Sequence, residues 1–259
     1  MSAKRTVFAV AAHPDDVEFN MAGTLSLLSK AGFEPHMMNL ARSNLDSNEL
    51  PEAEIAFIRL QEAQRSAAII SATYHPPITD DLMIFYEDKL LRRISAIVRE
   101  IRPTIVLLPS LNDYMEDHTN TARLVTTACF SRAMRNYISN PPCEPTYQDI
   151  YLYHTQPHLN RDSMGNLVTP ELFVNITSEM PIKIRMLSCH ESQRQWLDKT
   201  QGLDNYVETM RQSSAEIAHM SGQKDWEYAE GFRRHSHIGF SKENRDLLSE
   251  ILNHKTYHR

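Results

Sequence analysis

The chain has 259 residues, 41% of them hydrophobic and 23% charged, with a formal net charge of −6. That length and composition fit a globular protein with one sizeable core. The acidic balance offers no basic stripe for nucleic acid, and no apolar run approaches a membrane span. The basic start MSAKR leads into an apolar stretch that stops at His13, too short for a signal peptide. Three cysteines with no C-x-x-C spacing indicate reduced thiols rather than a disulfide framework or zinc knuckle, so a cytoplasmic location is expected.

In chain order, Val7 to Ala12 reads as a buried strand and Ala22 to Ala31 as a helix that stops at Gly32. Gly23 would let that helix approach the first strand closely. Pro35 to Ala41 is a second strand, and strand–helix–strand implies a parallel pair with a right-handed crossover. A polar loop over 42–51 precedes a helix from Glu52 to Ala72. Tyr74 to Asp81, with Pro76-Pro77, reads as irregular, and Phe85 to Ile101 as a long helix. Thr104 to Leu108 is the clearest central strand, Pro109 to His118 its loop, and Thr119 to Tyr137 a helix. Asp149 to Tyr153 and Glu171 to Ile176 read as strands. Pro181 to Tyr206 reads as a helix, 211–240 as mixed, and the last segment as helical. The fold class expected is α/β, a Rossmann-like three-layer sandwich with a mainly parallel central sheet flanked by helices. It is read as a single domain over 1–259, with residues about 195–259 a C-terminal extension near the site.

The chemistry concentrates at two strand ends. His13-Pro14-Asp15-Asp16 follows the first strand directly, and open α/β sheets place ligand sites at the carboxyl ends of strands. An imidazole and two carboxylates on one stiff turn suit a divalent cation. Asn112 to His118 follows the strand Thr104 to Leu108 in the same way, so neighbouring parallel strands would bring His118 to His13 and Asp16. Two histidines and one carboxylate leave an open position, the pattern of a catalytic zinc, though another divalent metal is compatible. Asp15 stands beside them as a base for a metal-activated water.

These residues carry a resemblance. AHPDDVEF with the later Asp117-His118 resembles the PIG-L/LmbE-like zinc-dependent de-N-acetylases. So do Arg59-x-x-Glu62-Ala63, the approach Ile101-Arg102-Pro103 through Pro109, and Lys183 to Gln193 ending in HESQ. Together they span roughly residues 5 to 195. The resemblance implies His13, Asp16 and His118 as metal ligands and Asp15 as the general base. It makes Arg59, Asp80 and Asp81 candidate substrate contacts, joined by Asp113 and Tyr114 of the second loop. The implied activity is zinc-dependent removal of an acetyl group from an N-acetylated sugar or related amide. The implied partner is a small molecule, with no nucleic acid and no membrane span, and a homo-oligomer is compatible.

One departure stands out. The family's second motif is usually H-P-D-H; here it is Met115-Glu116-Asp117-His118, and a thioether neither donates a proton nor carries positive charge. Tyr114, Glu116, His154, His190, His235 and His237 are the stand-ins weighed. Asp117, with no histidine at 115 to orient, is expected to bond His118 or the backbone. Three other readings stay open: a metal-binding homologue without catalysis, a mononuclear iron oxygenase, and a nucleotide-binding sheet. The missing G-x-G-x-x-G argues against the last.

Overall fold

A computed structural model describes residues 5–45, 47, 49–194, 196 and 206–258. Its centre is an eight-stranded mixed sheet in the order β3-β2-β1-β4-β5-β7-β6-β8. Strand β1 (Thr6–Ala11) pairs in parallel with β2 (Glu34–Asn39) on one side and β4 (Ile105–Leu108) on the other. β3 (Thr73–His75) continues the parallel set outside β2, and β5 (Tyr151–Thr155) continues it outside β4. Alternation along β1 divides the core. Val7, Ala9 and Ala11 face one apolar layer, and Phe8, Val10 and Ala12 face the other. A strand buried on both faces has no polar side to show, which is why β1 and β4 read as unbroken apolar runs.

Helix α1 (Asp16–Asn20) and helix α2 (Ala22–Lys30) follow the first strand, and α3 (Glu52–Ile69) follows the second. Leu25, Leu28 and Ala67 of α2 and α3 cover the first layer. Helices α4 (Asp88–Ile101) and α5 (Glu116–Ser131) cover the second through Leu90, Ile94, Val98, Leu124, Val125 and Ala128. Arg102 closes α4 in the left-handed region at φ 53°, and Pro103 prevents continuation.

The second half departs from the sequence reading. After β6 (Leu172–Asn175) and α6 (Met180–Leu187), a helix α7 spans Tyr206–Ser221, where a helix ending at Tyr206 was expected. Positions 195 and 197–205 of that expected helix lie outside the described residues. Strand β7 (Ala229–Arg234) inserts antiparallel between β5 and β6; α8 (Leu247–Leu252) precedes an edge strand β8 (Thr256–His258). The 229–234 stretch, inside the region read as mixed, is therefore interior strand. Gly23 is also corrected. A Cβ there would lie 2.7 Å from Cγ2 of Ile176, so the close approach is to the segment after β6 rather than to β1. The same approach lets Glu230 of β7 accept the Gly23 and Thr24 N–H groups at 2.9 and 2.7 Å, satisfying the start of α2 from a distant strand. Lys183 balances that carboxylate inside the protein, 2.5 Å away.

Candidate metal centre

Because β1 and β4 are neighbours and parallel, their carboxyl-end loops meet. One ligand atom each from His13, Asp16 and His118 lie within 4.8 Å of one another. Asp16 Oδ2 sits between the rings, 3.5 Å from His13 Nδ1 and 3.4 Å from His118 Nε2. Ligands held tetrahedrally at about 2.0–2.2 Å from a zinc ion are spaced about 3.3–3.5 Å apart, so the observed spacing fits. Helix α5 begins at Glu116 rather than Thr119, with Met115 at its cap, which puts Asp117 and His118 in its first turn. The turn 13–16 is fixed by the His13 N–H donating to Asp16 Oδ2 at 2.8 Å and by Asn39, which donates to the His13 carbonyl.

Each ring has its outer nitrogen held by a carboxylate. His13 Nε2 lies 3.1 Å from Asp117 Oδ2, and His118 Nδ1 lies 3.0 Å from Asp113 Oδ1. Carboxylate–histidine pairs of this kind set tautomer and ring orientation at metal sites. Asp117 thus bonds His13 and the Leu82 N–H (2.9 Å), not His118. Burial alone would lower the pKa of both histidines. For His13 the hydrogen bonds to Asp117 and Asp16 outweigh it, and for His118 the Asp16 charge and Asp113 do, so both are raised. Burial would raise Asp16, but the charges of His118 and His13 hold it well below the ordinary carboxylate range. In the metal-free protein, the centre holds positive charge tightly.

Asp15 occupies a left-handed backbone position at φ 103° and is 3% exposed. Burial first, and the Asp16 charge second, push its carboxyl up to about 7, against the pull of His190 and the Tyr206 hydroxyl. Tyr206 donates to Asp15 Oδ2 at 2.9 Å, so α7 reaches the site.

The other residues singled out fall in different places. Arg59 is 1% exposed and donates to the Ser43 carbonyl at 3.2 Å; Glu62 accepts from Ser192 Oγ at 2.6 Å. Asp81 accepts the Leu45 N–H at 3.1 Å, and Asp80 pairs with Arg42. Tyr114 is 56% exposed, its ring edge-on to His118 at 5.7 Å. Of the stand-ins, His154 and His235 bond one another at 3.0 Å and His190 lies 3.1 Å from Glu18. None of these contacts joins the ligand set. A histidine passed over in the sequence does approach: His158 packs between Phe19, with ring centroids 4.6 Å apart, and Tyr114, at 6.0 Å. Pro157-His158 just beyond a strand echoes His13-Pro14, and that was the available signal. The sequence pattern ends this strand at Tyr153, two residues short of the observed Thr155, which separates the signal from its strand.

Residues 8–129 match the family model PIG-L, GlcNAc-PI de-N-acetylase. The chain is 26% identical over 239 residues to diacetylchitobiose deacetylase of Thermococcus kodakarensis, covering 88% of this chain and 82% of that protein. It is 23% identical over 204 residues to 4-oxalmesaconate hydratase of Pseudomonas putida, covering 73% and 74%. The structure of N,N'-diacetylchitobiose deacetylase from Pyrococcus horikoshii superposes with a TM-score of 0.75 at 20% identity, covering 94% of this chain and 88% of that one. Among the described residues no helix is long and apolar enough to cross a membrane. The likeness to the PIG-L family lies in residues 8–129, the segment that holds His13, Asp16 and His118.

Proposed function

We propose that the protein is a metal-dependent amide hydrolase that removes an acetyl group from an N-acetylated sugar or a related small molecule. The observation that carries this reading is a three-ligand set with a second carboxylate, Asp15, buried beside it and outside it. A divalent cation, zinc by its donor set, held by His13, Asp16 and His118 would acidify a water molecule and polarise the amide carbonyl. Asp15 accepts the water's proton, and a carboxyl titrating near neutral pH suits that task. Tyr206 fixes the orientation of that carboxyl. Asp113 and Asp117 keep the two ligand rings in place before substrate arrives. Acetate release from a panel of N-acetylated sugars, by zinc-loaded and chelator-treated protein, tests the reading. Release by the loaded protein alone is expected, and none from any substrate would overturn it.

Hydration of an unsaturated acid is the second reading. It is favoured by Met115, which removes the motif imidazole, and by the likeness to a hydratase. Adding water across a carbon–carbon double bond needs the same base and cation but leaves no amine to protonate. Loss of ultraviolet absorbance from a conjugated unsaturated dicarboxylate, without acetate release in the first assay, would select it.

A further inference from the structure

Met115 leaves amide cleavage without its usual imidazole, and a third loop brings one to the same edge of the sheet. β5 is the parallel neighbour of β4, so three consecutive strands of the sheet, β1, β4 and β5, end at one edge. A cleft there is lined by Asp16, Asp113 and His118 together with Thr155, the last residue of β5, and Gln156 just after it. Pro157 then turns the chain, and the His158 ring stands against Phe19 and Tyr114, with Tyr114 in turn edge-on to the ligand His118. The His158 imidazole is partly exposed and makes no hydrogen bond to a described side chain or backbone group. Burial is the largest influence on it and lowers its pKa; the charges of Asp16 and Asp113 oppose that lowering and His118 adds to it, so its protonated form is a ready proton donor.

The turn that presents this ring is strained at Leu159 and pinned at Asn160. Leu159 and Asn160 both lie in the left-handed region, at φ 54° and 58°, which Asn tolerates and Leu does not. Such backbone persists where its surroundings over-determine it, and it gathers at functional sites. Asn160 is fully buried and donates to Glu216 Oε2 at 2.8 Å and to the Ser213 carbonyl at 3.2 Å, both on α7. Arg161 adds a 2.8 Å bond to the same Glu216. Helix α7 therefore anchors the His158 turn and, through Tyr206, the base Asp15.

We propose that His158 is a catalytic residue, the proton donor to the departing nitrogen, a role that Met115 cannot fill. This rests on the amide-hydrolase reading. Water gives a proton to Asp15 as its oxygen bonds the carbonyl carbon. The carbon–nitrogen bond then breaks, its electron pair stays on nitrogen, and nitrogen takes a proton from protonated His158. Exchange with solvent returns a proton to His158 and removes one from Asp15, so the sum is amide plus water giving acid plus amine.

The test compares zinc-loaded wild type with His158→Gln on two substrates, an N-acetylated sugar amide and 4-nitrophenyl acetate, whose leaving group departs without a proton. Zinc content and thermal unfolding are measured alongside. The expected result is a loss of about 10²–10⁴ on the amide, ester turnover changed less than about threefold, and unchanged zinc. Undiminished amide cleavage would overturn the role of His158 and leave the hydrolase standing. Equal losses on both substrates with zinc retained would likewise overturn it, since a proton donor to the leaving group cannot cause them. Absence of acetate release by the loaded wild type would instead remove the hydrolase reading beneath it.

Discussion

Two pairs of histidines lie at different places around the parallel strands, and His75 of one pair shifts in the direction opposite to both histidines of the other. At the carboxyl edge, His13 and His118 each face carboxylates, with Asp16 between them, and both are raised above the ordinary histidine range. His36 on β2 and His75 on β3 line a cleft with Thr6, Glu34 and Arg102, their rings stacked 5.1 Å apart and joined by a 2.8 Å contact. There burial first, and His36 second, push His75 down to about 4. Residue type alone thus does not make a cation site. At His13 and His118 the surrounding carboxylates offset the desolvation that lowers the pKa of His75.

The comparison can be broken most severely at the first pair. His118→Ala is expected to abolish both bound zinc, measured by elemental analysis, and acetate release; stoichiometric zinc in the variant would sink the centre. Asp15→Asn separates binding from chemistry. Asn tolerates the left-handed backbone at this position, so zinc should remain while turnover falls by about 10²–10⁴. Asp113→Ala removes only the support of a ligand ring, and zinc affinity, read by competition with a chelating dye, should drop about 10–100-fold.

The smallest effect concerns the second pair and pH. His75 titrates at about 4 in the folded chain against 6.5 unfolded. Above 6.5 it is neutral in both states; as pH falls from 6.5 through 4 the unfolded chain takes the proton first, and stability is lost. In metal-free protein His13 and His118 act with the reverse sign. Their folded pKa values are raised, so their contribution is full below 6.5 and is lost as pH rises through the folded values. Urea unfolding of chelator-treated protein, from neutral pH down to about pH 5, should show a shallower acid loss in His75→Asn than in wild type. An unchanged slope would contradict the contrast.

Much of the parallel half was legible because its signals are local. β1 and β4 are apolar runs bounded by Pro, and their loops carry the ligand residue types in tight spacing. The antiparallel half was not. Ala229–Arg234 contains Glu230 and two arginines, a composition that reads as polar turn until Lys183 and the start of α2 are found to neutralise the glutamate. β8 is three residues long and exists through its pairing with β6. Arg59 is expected as a substrate contact from the resemblance; its burial on Ser43 follows only from where α3 packs.

By itself the sequence determined which side chains could bind a cation and which strand ends would carry them, since periodicity and short motifs act within a few residues. Tertiary structure alone decided that Asp117 holds His13 across 104 positions and that Tyr206 reaches Asp15 across 191. It also decided that the His158 turn is pinned to α7. Those partners are chosen by strand order and helix packing, and no local pattern encodes them.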